Sequence, residues 1–155
     1  LLVAIISIAG VWSVWWENGG KAAHEKQLRD TKRATEEEGW LAYCERMDDW
    51  FEANKGVFKS SKLNLNQLKI LYALAQRGEH EDRLRTWQIL MVWGWDGTAV
   101  DRLRFDADFE ELKEWGRKHP PFISQSGGYD SLPEEDQQWF LTTEGRDFLL
   151  EHRII

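Results

Sequence analysis

The chain has 155 residues, of which 42% are hydrophobic and 13% aromatic, and 20 Lys and Arg against 27 Asp and Glu give it a net charge of −7. This length fits one domain with an appended segment and excludes two large domains. The apolar content excludes a mostly disordered chain, because burial of that much apolar surface offsets chain entropy. The acidic balance excludes a polycationic nucleic-acid binder.

The chain opens with an apolar run. Residues 1–16 (LLVAIISIAGVWSVWW) contain no charged side chain, and as a helix they would cover about 24 Å, slightly less than a ~30 Å hydrocarbon core. Trp12, Trp15 and Trp16 gather at the end of the run, where indoles favour the membrane interface. We therefore expect a transmembrane anchor over residues 1–17. A buried core helix and a cleaved secretory signal are the alternatives.

A charged segment follows the break at Asn18-Gly19-Gly20. Residues 21–33 carry five basic side chains against two acidic ones, and the positive-inside tendency assigns this flank to the cytoplasm. We place Lys21 at the membrane interface with the three tryptophans. The prediction is a single-pass membrane protein with a cytoplasmic C-terminal domain, in which residues 18–56 form a charged linker and an amphipathic helix.

The apolar face of that helix runs from Glu36 to about Asn54, because apolar residues recur there every three or four positions before Lys55-Gly56 ends the helix. Cys44, the one cysteine of the chain, falls on this face and is predicted to be a small core residue; no intrachain disulfide is possible. Such a face packs either in its own domain or against another chain. With two tryptophans further on, it gives the candidate partner-binding set: Trp40, Tyr43, Met47, Trp50, Phe51, Trp93 and Trp95.

Residues 57–155 predict a separate domain that begins with three helices. Asn64 and Gln67 form a capping pair ahead of a helix of roughly 13 residues that ends at Gly78. The second helix is expected to include Leu84 and to stop at the turn 94–97. A turn over 98–105 then leads to the third helix, which ends at Gly116.

A hairpin and a closing helix complete this domain. His119-Pro120-Pro121 prevents continuation of the third helix. Strands are predicted over 122–124 and 139–142, separated by a polar loop over 126–138. The last helix is expected to open at Thr143.

The stretch 139–150 (WFLTTEGRDFLL) resembles the second wing strand and terminal helix of the winged helix-turn-helix family, in which a strand, L-T-x-x-G-R/K and an apolar helix recur. The predicted elements before it have the family's order, so the resemblance covers residues 64–152. It implies a mainly α fold with a small β-hairpin (α+β), whose Thr hydroxyl caps the last helix. An unrelated α+β domain with the same short Thr-x-x-Gly sequence is the alternative.

In the family, the third helix and the wing approach DNA phosphates. Here residues 106–118 carry five acidic and three basic side chains, and residues 126–138 carry four acidic and no basic ones, so both would repel phosphate. Nucleic acid is therefore an improbable partner. The candidate residues for the alternative function, a membrane-anchored DNA-binding transcriptional regulator, are Arg83, Arg85, Arg102 and Arg104.

The sequence contains no pattern typical of catalysis. The four histidines are scattered, the glycines form no phosphate-cradling loop, and no G-x-S-x-G turn is present. We expect no enzymatic activity, no cofactor and no metal. The sequence predicts a non-catalytic accessory subunit whose partners are membrane lipid and either other subunits of a membrane-associated assembly or further copies of itself.

Overall fold

The computed structural model describes residues 19–58, 61–77, 83–114, 120–127 and 131–155. The predicted anchor, with Trp12, Trp15 and Trp16, lies outside the described residues. Within those ranges, no helix combines the length and the apolar character that a membrane crossing requires. The chain divides into two compact units, residues 1–42 and 43–155.

The longest helix, α1, spans Lys21–Asn54. It begins just after Gly19, whose φ of +120° is a conformation that glycine adopts readily, and it ends before Lys55-Gly56 as the pattern predicts. In the first unit, residues 21–36 of this helix are exposed, whereas Trp40 is buried.

The second unit is mainly α with a small antiparallel sheet. Its elements after α1 are α2 (Leu65–Arg77), β1 (Leu84–Arg85), α3 (Thr86–Trp93), α4 (Ala99–Glu114), β2 (Ile123–Gln125), a 3₁₀ turn (Glu134–Asp136), β3 (Gln138–Leu141) and α5 (Thr143–Glu151). The strand order is β1-β3-β2, with both outer strands antiparallel to β3. Leu84 pairs with Trp139, and Ile123 pairs with Leu141.

The first and last helix caps of this unit confirm the sequence predictions. The backbone N–H of Asn64 donates to Oε1 of Gln67, and the N–H of Gln67 donates to Oδ1 of Asn64, both at 2.9 Å. At α5, Oγ1 of Thr142 accepts from the N–H of Gly145 at 3.1 Å. The reciprocal pair of Asn64 and Gln67 and the single bond to Thr142 mark where the two helices begin.

The hairpin strands lie at Ile123–Gln125 and Gln138–Leu141, each displaced by one residue from the predicted 122–124 and 139–142. Two other boundaries differ more. Leu84 belongs to a two-residue strand and not to α3, because its backbone pairs with β3; its helical spacing from Trp87 concealed this. The predicted turn over 98–105 is wrong: α4 already begins at Ala99. Oδ1 of Asp96 accepts from the N–H of Thr98 at 2.8 Å, and Oγ1 of Thr98 accepts from the N–H of Asp101 at 3.2 Å, so Thr98 caps the helix.

Candidate docking surface

Helix α4 is fixed in the domain by one apolar face. Phe105, Phe109 and Leu112 are buried on this face, and the ring of Phe109 meets that of Trp139 edge to face at 4.8 Å. Beside them, the indole N–H of Trp93 donates to Oδ2 of Asp108 at 2.7 Å. These contacts hold α4 rigidly, so its other side is presented in a defined orientation.

The outward side of α4 is apolar in its first half. Val100 and Leu103 are 61% and 71% exposed, and Ala107 is also exposed. Their spacing of three and four residues places them on one helical face. Glu110 and Glu111 continue this face toward the end of the helix and are exposed as well. The outward face of α4 is thus apolar first and acidic afterwards.

Trp95 extends this surface before the helix begins. Its side chain is 42% exposed, yet its indole N–H donates to the carbonyl oxygen of Thr98 at 2.9 Å. Asp96 holds the same turn, because its carboxylate accepts hydrogen bonds from the side chain and the backbone N–H of Thr98. These bonds also lower the pKa of the Asp96 carboxyl group. An exposed indole that is already oriented loses little conformational entropy on binding. We call the surface formed by Trp95, Val100, Leu103 and Ala107 the α4 face.

Two of the four candidate nucleic-acid-binding arginines are paired with acids of the domain. Arg102 lies 3.1 Å from Asp106 and 2.8 Å from Glu134 of the 3₁₀ turn. Arg104, at the edge of the α4 face, lies 3.5 Å from Asp101. Arg83 and Arg85 are exposed at β1. The acidic neighbours therefore weaken the positive potential that phosphate binding would need.

The candidate partner-binding residues divide between core and surface. Met47, Phe51 and Trp93 are 3%, 0% and 7% exposed, so they pack inside the domain and present little surface to a partner. Two others make contacts on α2: the ring of Trp50 stacks on Tyr72 at 5.0 Å, and the hydroxyl of Tyr43 donates to Gln76 at 3.2 Å. Trp40 is buried, whereas Trp50 and Trp95 are 39% and 42% exposed.

Sequence reasoning missed Val100 and Leu103 as candidate surface residues. Their i, i+3 spacing is present in the sequence, but the prediction of a turn over 98–105 gives such spacing no meaning. The cap formed by Asp96 and Thr98 is the signal that identifies it as helix.

Two kinds of reactive group, a cysteine nucleophile and a metal cluster, can be checked in the described residues. Cys44 is 4% exposed, and its pKa is raised to about 12 by burial and by the negative charge of Asp48, so the thiolate required of a nucleophile does not form near neutral pH. In the described segments, no three His, Cys, Asp or Glu side chains could together hold a metal ion.

An open groove of about 540 Å³ is lined by Tyr72, Ala75, Gln76, Ile154 and Ile155.

Comparison of the chain with protein-family models, curated proteins and solved structures gave no match.

Proposed function

We propose that this chain is a non-catalytic, membrane-anchored accessory subunit whose winged-helix-like C-terminal domain docks on a larger membrane-associated protein assembly. The observation that carries the proposal is the α4 face, which combines large exposed aliphatic side chains with an oriented indole. The apolar run over residues 1–16 supports the anchor. The basic segment after that run supports a cytoplasmic location of the domain.

The order of elements supports the winged-helix-like assignment. Helix α2 is followed by β1, two helices and the β2–β3 hairpin, and β3 lies between β1 and β2. On this proposed assignment, α4 would correspond to the helix that reads the major groove in the DNA-binding members of the family. We therefore expect a binding function on the exposed surface of this helix.

The chemistry of the α4 face favours protein over DNA. A helix that reads DNA presents hydrogen-bonding groups to base edges and cations to phosphates. Val100 and Leu103 offer neither, and Glu110 would repel phosphate. Exposed apolar side chains around an aromatic anchor are instead typical of protein interfaces.

The occupant of this face is an apolar segment of a partner protein with basic residues beside it. Leu103 and its aliphatic neighbours fit the apolar part. Glu110 and Glu111 are exposed and complement the basic part; within the domain Glu110 also pairs with Lys113, and Glu111 accepts from the side-chain amide of Gln67 at 2.7 Å. A second copy of this domain would bring the same carboxylates together, so self-association through this face is disfavoured.

Glu110→Lys is expected to weaken the complex about tenfold, whereas Asp147→Lys on α5 leaves it unchanged.

The test uses the full-length chain, solubilised with its native partners from membranes. Leu103 and Leu150 are both exposed leucines, at 71% and 53%, so Leu103→Glu and Leu150→Glu form a matched pair. The wild type and Leu150→Glu should sediment as a large complex, and Leu103→Glu as the free chain. A complex unaffected by Leu103→Glu, or a chain that binds duplex DNA with a steep salt dependence, would overturn the proposal.

A further inference from the structure

The first half of α1 carries its basic side chains on one face. With about 100° of rotation per residue, the five basic residues of 21–33 fall within a sector of about 140°. Glu25 is the one acidic residue of 21–33 inside this sector, so five basic side chains less one acidic side chain leave it a net charge of +4. All are exposed on a helix whose residues 21–36 are exposed throughout. The five basic residues are Lys21, Lys26, Arg29, Lys32 and Arg33. We call this sector the basic face of α1.

The opposite side of the same segment is small or uncharged, with Ala23, Gln27, Thr31 and Ala34 among its members. Thr31 and Thr35 turn their hydroxyl groups back to carbonyl oxygens one turn earlier, at 2.8 and 3.1 Å. The two sides of this segment therefore differ in their basic charge and not in their hydrophobicity. A solvated connecting helix has no need for such a separation of charge.

The basic face ends at a run of three glutamates, and its last two members pair with that run. Glu36 lies 3.8 Å from Lys32, and Glu37 lies 2.9 Å from Arg33, and Glu38 follows. The excess positive charge is thus confined to the part of the helix closest to the apolar run. Gly19, just before the helix, has a φ of +120°, a conformation that glycine adopts readily.

We propose that the basic face of α1 binds the anionic headgroups of a bilayer, with residues 21–33 lying along the membrane surface; this rests on the proposed membrane anchor. A helix standing upright would place its last basic residue about 18 Å from its first, beyond the ~8 Å over which salt leaves such charges effective. Lying flat, all five reach the headgroups. Each contributes about fivefold to binding of an anionic surface.

Amide hydrogen exchange of the full-length chain with lipid nanodiscs tests this proposal. An exposed helix of this kind exchanges readily, and lipid contact protects it. On discs with one quarter anionic phosphatidylglycerol, peptides covering residues 21–33 should exchange at least about tenfold more slowly than on neutral phosphatidylcholine discs, and the protection should vanish in 0.5 M salt. Equal exchange on the two kinds of disc would overturn the proposal.

Matched variants separate the basic face from general charge. Lys26→Gln, Arg29→Gln and Arg33→Gln together should abolish the protection, because Gln keeps the helix propensity and removes the charge. Arg46→Gln, Lys55→Gln and Lys62→Gln, three exposed positions outside the face, remove equal charge and should leave it intact. Protection lost equally in both triple variants would contradict the assignment, and so would stronger protection by duplex DNA than by anionic discs.

Elution with the discs distinguishes this proposal from that of the anchor. A chain that elutes with neutral and anionic discs alike is anchored, and the exchange data then decide the role of the basic face. A chain that elutes with anionic discs only rejects the anchor and supports the basic face. A chain that elutes with neither overturns both proposals.

Discussion

The guanidinium of Arg102 on α4 lies 2.8 Å from the carboxylate of Glu134 in the connection between β2 and β3. In the DNA-binding winged helices that the domain is proposed to resemble, a helix and the wing both turn cations toward phosphates. In this chain the helix and the connection bond to each other instead. The positive charge of Arg102 is thus satisfied within the domain.

This pairing predicts weak or no binding of DNA. The full-length chain in mild detergent should show no measurable affinity for a duplex of 20 base pairs at 150 mM salt in a fluorescence anisotropy titration. Glu134→Gln removes one of the two ion pairs of Arg102 and leaves the pair with Asp106. It should change that result little, because one added cation contributes at most a single phosphate contact. Submicromolar binding by the wild type that weakens steeply with salt would support the regulator hypothesis instead.

The bond between Trp93 and Asp108 is predicted to position α4. Asp108 accepts from the indole N–H of Trp93 at 2.7 Å and from the side-chain amide of Asn64 at 2.9 Å. We expect Trp93→Phe and Asp108→Ala each to lower the free energy of unfolding by about 1–3 kcal/mol. Urea denaturation of the two single variants and the double variant should give a coupling of about 1 kcal/mol; strict additivity would contradict a direct bond.

Gly145 has a steric requirement that its place in the Thr-x-x-Gly sequence does not reveal. A Cβ there would collide with the carbonyl oxygen of Phe122 and lie 2.7 Å from Cδ1 of Leu141. Gly145→Ala should therefore lower the free energy of unfolding by about 1–3 kcal/mol. Gly39→Ala on α1, where a Cβ meets nothing within 4 Å, should raise it by roughly 1 kcal/mol through helix propensity. Equal effects of the two substitutions would refute the close approach.

The buried thiol of Cys44 leads us to expect a lower free energy of unfolding at alkaline pH. Burial, with the charge of Asp48, raises its pKa from 9.0 to about 12. The unfolded chain therefore loses this proton at lower pH than the folded one, so the stability is fully present below pH 9 and declines as the pH rises toward 12. The decline attributable to the thiol has a limit of about 1.4 kcal/mol per pH unit.

A comparison with Cys44→Ala isolates this contribution from the lysines and tyrosines that titrate in the same range. Denaturation curves between pH 7 and 10.5 should show the wild type losing stability relative to Cys44→Ala above pH 9. Below pH 9 the two profiles should run parallel. Parallel profiles over the whole range would show that the thiol is not held as a buried neutral group.

Local sequence signals located most helices and both strands of the hairpin. The reciprocal pair Asn64 and Gln67 marked the start of α2, and Lys55-Gly56 marked the end of α1, because caps and glycines act over a few neighbouring residues. Strand β1 was not predicted, because a strand of two residues is too short to show the alternation of apolar and polar residues that indicates a strand. Its pairing with β3 joins Leu84 to Trp139, which are far apart in the sequence.

The candidate site was harder to predict than the fold. Exposure of Leu103 and burial of Phe105 depend on how α4 lies in the domain, and both residues are simply apolar in the sequence. Trp93 and Trp95 are the same residue type two positions apart, yet Trp93 is 7% exposed and Trp95 is 42% exposed. The difference follows from the turn after α3, where Gly94 adopts a φ of +92° and reverses the chain.

The most direct test of the docking function is photo-crosslinking in native membranes, with a photoreactive amino acid placed at position 103 or at position 150 of the full-length chain. Both side chains are exposed, so only a bound partner distinguishes them. We expect a discrete protein adduct from position 103, lost in Glu110→Lys, and none from position 150. Adducts of equal yield from both positions, or an adduct to DNA from position 103, would contradict it.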